Sequence, residues 1–172
     1  MHAINIIIGD IIVLGAAAAV LGPRLYKNYR RKVGTQNAFL IKNVASGLVI
    51  RPRNAEIDDG VPIVQYTPQN WECTTWQMIG IGSDTYLLKD LYTQKSLAPD
   101  NQGMLAQVPL GGNVNQHWVF AEVVPGQFTI RLADAELYLT SPNREVNARL
   151  QLAAPTNTDN QRWTLTAQHP II

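Results

Sequence analysis

The chain has 172 residues, of which 46% are hydrophobic and 16% are charged, and its formal net charge is +1. This composition excludes a wholly disordered chain, and the near-neutral charge argues against a protein that binds nucleic acid. The length suits one compact domain with an additional segment. A single cysteine, Cys73, excludes an internal disulfide.

The charges are unevenly distributed along the chain. Residues 1–38 contain five basic side chains and one acidic side chain, whereas the remaining 134 residues contain nine basic and twelve acidic ones. This asymmetry predicts two physically different parts.

The first part begins with a hydrophobic run, AINIIIGDIIVLGAAAAVLG, over residues 3–22. About twenty apolar residues in a helix are enough to cross a bilayer. We therefore predict a transmembrane α-helix over residues 1–23. Asp10 lies within the run, either as a carboxylate near the membrane surface or as a polar contact to a partner helix in a membrane complex.

A basic segment with interleaved tyrosines follows the hydrophobic run. Its charged residues are Arg24, Lys27, Arg30, Arg31 and Lys32. We predict that these side chains contact membrane lipid, and that residues 24–38 form a juxtamembrane segment and linker. Basic residues flank only the C-terminal side of the run, so the positive-inside tendency predicts a single-pass protein whose C-terminal domain is cytosolic.

After residue 38, apolar and polar residues alternate in short bursts separated by turn residues, which indicates strands. Three copies of one pattern are visible. They begin FLIKNVASGLVI at Phe39, YLLKDLYTQKSL at Tyr86 and FTIRLADAELYL at Phe128. The copies end in strands that contain Trp76, Trp118 and Trp163, which are 42 and 45 residues apart. Three four-stranded copies predict a closed barrel with pseudo-threefold symmetry.

The end of each copy carries a further signature. A Gln-x-Trp motif occurs at Gln116–Trp118 and at Gln161–Trp163, while the first copy has Thr74–Trp76. Over residues 38–168 this pattern resembles the ricin-type β-trefoil lectin family. The resemblance implies an all-β trefoil over residues 39–168. Strand alternation predicts that the three tryptophans are core residues, and that the glutamines hydrogen-bond loop backbone.

The resemblance also implies where a sugar would bind. The family's sites combine an acid, a glutamine, an aromatic stacking residue and an Asn-Gln pair. The acid falls on Arg51, Ala98 and Thr140; the glutamine falls on Gln65, Gln107 and Gln151; the aromatic position falls on Thr67, Pro109 and Ala153. The acid and the aromatic residue are therefore missing, which predicts a degenerate site. We place the best remaining site in the second copy. Its residues are Asp100, Gln107, Asn115 and Gln116.

The predicted function is that of a membrane-anchored, lectin-like module that binds carbohydrate or glycoprotein. Two alternatives use protein partners: a protease inhibitor acting through the loop region 54–71, or an accessory subunit of a membrane protein complex. The three histidines, His2, His117 and His169, are scattered and form no metal or nucleophile constellation. We predict no enzyme activity, no cofactor and no metal.

Overall fold

The computed structural model describes residues 37–170, which form twelve strands. The first copy contains β1 (Ala38–Asn43), β2 (Val49–Pro52), β3 (Ile63–Tyr66) and β4 (Trp76–Gly82). The second contains β5 (Thr85–Asp90), β6 (Ser96–Pro99), β7 (Leu105–Val108) and β8 (Trp118–Val124). The third contains β9 (Gln127–Leu132), β10 (Tyr138–Thr140), β11 (Gln151–Ala153) and β12 (Trp163–Ala167). Short 3₁₀ helices occupy Arg53–Ala55, Glu72–Thr74, Val114–Gln116 and Asp159–Gln161.

Six of these strands form a closed antiparallel barrel. The pairing runs β1, β4, β5, β8, β9 and β12, and β12 pairs again with β1 to close the ring. The other six strands form three hairpins, β2–β3, β6–β7 and β10–β11, one from each copy. A closed barrel with three hairpins is a β-trefoil, so the predicted all-β trefoil fold is confirmed.

The repeated residues recognised in the sequence occupy equivalent places in the barrel. The aromatic residue that starts each copy lies opposite the tryptophan that ends it. The pairs are Phe39 with Trp76, Tyr86 with Trp118 and Phe128 with Trp163. All three tryptophans are fully buried, and the three partner rings pack against the core.

The core repeats the same threefold pattern around these tryptophans. Three further sets of fully buried aliphatic residues are related by the pseudo-symmetry. They are Ile41, Leu88 and Ile130; Ile50, Leu97 and Leu139; and Ile63, Leu105 and Leu150. Burying an aliphatic side chain of this size contributes about 1.5–3 kcal/mol. These repeated positions therefore account for a large share of the stabilisation.

The register of the third hairpin differs by one residue from the register that the sequence pattern predicts. The second strand of each hairpin donates one backbone hydrogen bond to a neighbouring copy, and these three bonds are equivalent. They run from Gln65 N to Ala148 O, from Gln107 N to Val61 O and from Leu152 N to Gly103 O. Leu152, not Gln151, is thus equivalent to Gln65 and Gln107. A shift of one residue turns Gln151 to the opposite face of its strand.

The predicted transmembrane helix over residues 1–23, the basic residues 24–32 and the linker up to residue 36 lie outside the described residues. Within residues 37–170, no helix combines the length and the apolar character needed to span a membrane.

The three core tryptophans differ in hydrogen bonding, and this predicts a difference in their contribution to stability. The Nε1 atoms of Trp76 and Trp163 donate to the carbonyls of Ile50 and Leu139 at 3.0 and 3.1 Å. Nε1 of Trp118 is buried and has no hydrogen-bond partner in the part of the chain that the structure describes. We expect Trp76→Phe and Trp163→Phe to lower the free energy of unfolding by about 1 kcal/mol more than Trp118→Phe, because only these two leave a carbonyl unpaired.

Urea denaturation of the three variants, followed by far-ultraviolet circular dichroism, measures this difference directly. Equal losses, or a larger loss for Trp118→Phe, would contradict the hydrogen-bond pattern.

Candidate functional site

Each copy presents a comparable surface where its second strand meets the 3₁₀ helix that precedes its tryptophan. The helix Glu72–Thr74 packs on β2, Val114–Gln116 packs on β6, and Asp159–Gln161 packs on β10. The three copies thus offer three equivalent surfaces, which we call the first, second and third copy surfaces. Their side chains differ, so each is described by itself.

The glutamine of the Gln-x-Trp motif holds the loop that frames this surface. In the second copy, Gln116 Oε1 accepts from Gly111 N at 3.0 Å and Nε2 donates to Pro109 O at 3.1 Å. In the third copy, Gln161 makes the equivalent pair of bonds with Thr156 N and Ala154 O. Thr74 in the first copy donates its hydroxyl to Gln69 O and Trp71 O.

The structure does not bring the four residues predicted for the second copy together at its surface. Gln116 is buried, and both ends of its amide are occupied by loop backbone. Gln107 is also buried, and its Nε2 donates to the carbonyls of Glu56 and Asp58 in the first copy. Asn115 is exposed. Of these three side chains, only that of Asn115 is open to a ligand.

Asp100 lies in the turn that follows β6 and is engaged in protein contacts. Its Oδ1 accepts from the backbone N–H groups of Gln102 and Met104, and its Oδ2 accepts from Arg149 at 2.8 Å. The pKa of Asp100 is lowered, mainly by the hydrogen bond from Gln102 N. Asp100 therefore orders a turn and joins the second copy to the third.

The first copy surface contains a cluster that the sequence interpretation missed. The Arg51 guanidinium carbon lies 3.5 Å from the centroid of the Tyr66 ring. The Tyr66 and Trp71 rings lie 6.3 Å apart, centroid to centroid, with 32° between their planes. Both rings are partly exposed. The sequence pattern places the aromatic position at Thr67. In the structure it is Tyr66 that supplies a ring on the face of the hairpin that carries Arg51.

The register of the hairpin explains why the sequence interpretation missed this cluster. Arg51 pairs with Val64 and Val49 pairs with Tyr66, so these four residues share one face. Gln65 belongs to the opposite face and donates to the carbonyls of Asn143 and Glu145 in the third copy. Alternation within IVQY could have separated Gln65 from Tyr66, but only the pairing with β2 places Arg51 beside Tyr66.

The region 54–71, considered as an inhibitory loop, is only partly a loop. Its second half includes β3, whose first three residues are buried. Its first half is exposed, with Ile57 61% accessible between the two carbonyls that Gln107 binds. Asp59 forms an ion pair with Lys95. The segment that protrudes is thus short and anchored to the second copy.

Two further titratable groups lie beneath the first copy surface. Burial raises the pKa of the Cys73 thiol; Asp90 adds to this effect and Arg51 opposes it. Asp90 is fully buried, and desolvation raises its pKa to about 7 despite hydrogen bonds from the backbone and side chain of Thr93. Among residues 37–170, no group of three or more His, Cys, Asp or Glu side chains is placed to hold a metal ion.

The pseudo-symmetry explains what Asp90 does in the fold. Its equivalent in the first copy is Asn43, whose Oδ1 caps the following turn and whose Nδ2 donates to the carbonyls of Asn160 and Arg162. Asp90 Oδ1 likewise accepts from the turn, at Tyr92 N and Thr93 N. Its Oδ2 is buried and has no hydrogen-bond partner within residues 37–170. A proton on Oδ2 would give Asp90 the donor that Asn43 has in its amide.

A family model described as "Ricin-type beta-trefoil lectin domain-like" matches residues 27–108 and 114–170. Among curated protein sequences, none matches the chain.

Solved structures show the same fold at low sequence identity. The designed threefold-symmetric protein ThreeFoil has a TM-score of 0.72 and 21% identity, with 76% of this chain and 98% of that chain covered. The Macrolepiota procera ricin B-like lectin, solved with lactose, has a TM-score of 0.62 and 18% identity, with 74% and 93% covered. An exo-β-1,3-galactanase from Clostridium thermocellum has a TM-score of 0.72 and 21% identity, with 76% and 30% covered. The chain spans less than a third of the galactanase.

The environment of Asp90 predicts a pH-dependent stability. In the folded state the pKa of Asp90 is about 7, so the carboxyl stays protonated below that pH. In the unfolded chain the carboxyl has its usual pKa of 3.8. Between these values the folded state binds more protons, so the free energy of unfolding falls as the pH rises and levels off above about 7. We expect Asp90→Asn, which supplies the amide found at Asn43, to remove this fall.

At pH 8 the Asp90→Asn variant should be more stable than the wild type by on the order of 3 kcal/mol, and at pH 4 the two should converge. Urea denaturation at both pH values checks this. An Asp90→Asn variant that is less stable than the wild type at pH 8 would show that the carboxylate is the form that the fold requires.

Proposed function

The chain belongs to the ricin-type β-trefoil lectin-like family, and we propose from this membership that its trefoil is a carbohydrate-binding module rather than a catalyst. The lactose complex of the Macrolepiota procera lectin supports this proposal, because a trefoil of the same fold there holds a sugar. The proposed ligand class is a saccharide, free or on a glycoprotein.

The partly exposed aromatic pair on the first copy surface is the observation that carries the proposal. Sugar rings present C–H faces that pack against aromatic rings, while their hydroxyls need polar neighbours. Tyr66 and Trp71 supply two partly exposed rings. Polar side chains at Thr67, Asn70 and Glu72 border them, and each retains solvent access. A sugar is proposed to lie against these rings.

The second copy surface is the competing position. Asp100 and Asn115 are its accessible polar side chains. Gln116 supports the loop backbone of this copy, whereas Gln107 binds carbonyls of the first copy. It offers no aromatic ring in place of Tyr66, since Val108 occupies the equivalent position opposite Ser96. Because a sugar has no ring to stack on at that position, the first copy is the better site. The sugar site of the module is therefore proposed to be degenerate.

A second candidate function is protein binding through the exposed segment around Ile57. A hydrophobic side chain that is 61% accessible on a segment anchored at both ends suits contact with another protein. The aromatic pair Tyr66 and Trp71 favours saccharide binding over this protein contact and over catalysis.

Membrane attachment is a further part of the proposal, and it rests on the sequence. The apolar run over residues 3–22 and the basic residues after it support a single-pass anchor that binds lipid or partner helices, with the trefoil in the cytosol. Protease added to intact cells should leave the trefoil undigested until the membrane is permeabilised. Digestion in intact cells would place the trefoil outside and contradict the proposed orientation.

Intrinsic fluorescence provides a selective test of sugar binding. Of the four tryptophans, Trp76, Trp118 and Trp163 are fully buried, so Trp71 is the indole that a ligand reaches. A binding saccharide, first identified on a glycan array, should shift the emission of Trp71. Trp71→Ala, which lacks this reporter and is measured by isothermal titration calorimetry, should bind roughly tenfold more weakly, because stacking on an aromatic ring contributes about 0.5–1.5 kcal/mol beyond area burial.

Two variants serve as controls for this experiment. Tyr138→Ala removes a partly exposed ring from the third copy and should leave the affinity unchanged. Asn115→Ala tests the second copy. If Asn115→Ala abolishes binding while Trp71→Ala does not, the sugar binds the second copy; if no saccharide binds, the proposed function is wrong.

A further inference from the structure

Arg51 is a buried cation that has no acidic partner among residues 37–170. It is 7% exposed. The ion pairs among residues 37–170 join Lys95 to Asp59, Arg131 to Glu136, Arg149 to Asp100 and Arg162 to Asp159, and none of them includes Arg51. Its Nε is buried without a hydrogen bond. A buried charge is costly unless it is paired, so this arginine requires an explanation.

The fold itself does not require an arginine at this position. The hairpin pairings place Ala98 and Thr140 at the equivalent points of the other two copies. Both side chains are small and uncharged, and both hairpins have the same architecture as the first. A positive charge at Arg51 is thus a property of the first copy surface and not of the trefoil.

The Arg51 side chain contacts Tyr66 and Cys73. The Tyr66 ring covers a face of the guanidinium at 3.5 Å. Hydrogen bonds from a guanidinium lie in its plane, so stacking on Tyr66 does not occupy its donors. The hydrogen bond between Arg51 and the Cys73 thiol uses only part of the five N–H donors. Asp90, the buried carboxyl that also acts on Cys73, forms no ion pair with Arg51.

We propose that the first copy surface selects acidic saccharides, whose carboxylate or sulfate group pairs with Arg51 while the sugar ring contacts Tyr66 and Trp71. This inference rests on the proposed carbohydrate binding and adds the chemical class of the ligand. A carboxylate and a sulfate each present two oxygens that a guanidinium binds through two parallel hydrogen bonds.

Matched pairs of charged and neutral saccharides test the proposal on the wild-type protein. Oligogalacturonate and its methyl ester differ in the charge of the carboxyl group and in the added methyl group, and galactose 6-sulfate and galactose differ only in the sulfate. Titration with each, followed by Trp71 emission, should show at least one acidic member binding about tenfold more tightly than its neutral partner, as expected for a charge-assisted hydrogen bond. The pair that shows the preference identifies the anionic group.

Variants then locate the preference. Arg51→Gln should abolish the difference between the acid and its neutral partner, and Arg51→Lys should retain only part of it, because an ammonium lacks the planar fork. Arg144→Gln removes an exposed arginine from the third copy and is the matched control, with the preference intact.

Failure of this inference is distinguishable from failure of the proposed function. Equal binding of charged and neutral partners by the wild type would overturn the role of Arg51 while leaving saccharide binding established. A preference that survives Arg51→Gln would place anion recognition elsewhere and also overturn it. Binding of none of the four saccharides, together with a blank glycan array, would reject both. The wild-type comparison needs no variant, so it decides the question even if Arg51→Gln fails to fold.

Discussion

The pairing of β12 with β1 is the contact on which the rest of the structure depends. Five residues of β1, Phe39 to Asn43, align with Trp163 to Ala167 across this seam. The seam converts an open sheet into a barrel and removes its two edges. It also joins the third copy to the first, which places the three tryptophans around one axis and lets each hairpin pack against the next.

The closed barrel divides the repeated positions into two classes. Inward positions are nearly uniform across the copies, as the isoleucine, leucine and tryptophan sets show. Outward positions of the hairpins are free to differ, and the position of Arg51 is occupied by Ala98 in the second copy and Thr140 in the third. The trefoil therefore provides three surfaces of one shape with three different chemistries, and only the first combines aromatic rings with a buried charge.

The same division explains how much of the molecule could be predicted from sequence. The inward residues repeat, so the copies, the tryptophan core and a closed threefold barrel were predictable from periodicity and spacing. The resemblance of the Gln-x-Trp motifs to the ricin-type family implied the trefoil. The hairpin registers were not, because equivalent paired positions are separated by different lengths of chain: Ile50 pairs with Gln65, Leu97 with Gln107 and Leu139 with Leu152. A one-residue shift followed in the third copy, where Gln151 was aligned in place of Leu152. The contact between Arg51 and Tyr66 depends on the register of the first hairpin, so it could not be predicted from the sequence.

A structure of the protein with a bound saccharide tests the central claim, that the first copy surface is the binding site, most directly. The account predicts a sugar ring against Tyr66 and Trp71, with its anionic group in the plane of the Arg51 guanidinium. A sugar bound to Asp100 and Asn115 on the second copy surface, with Tyr66 and Trp71 unoccupied, would contradict it.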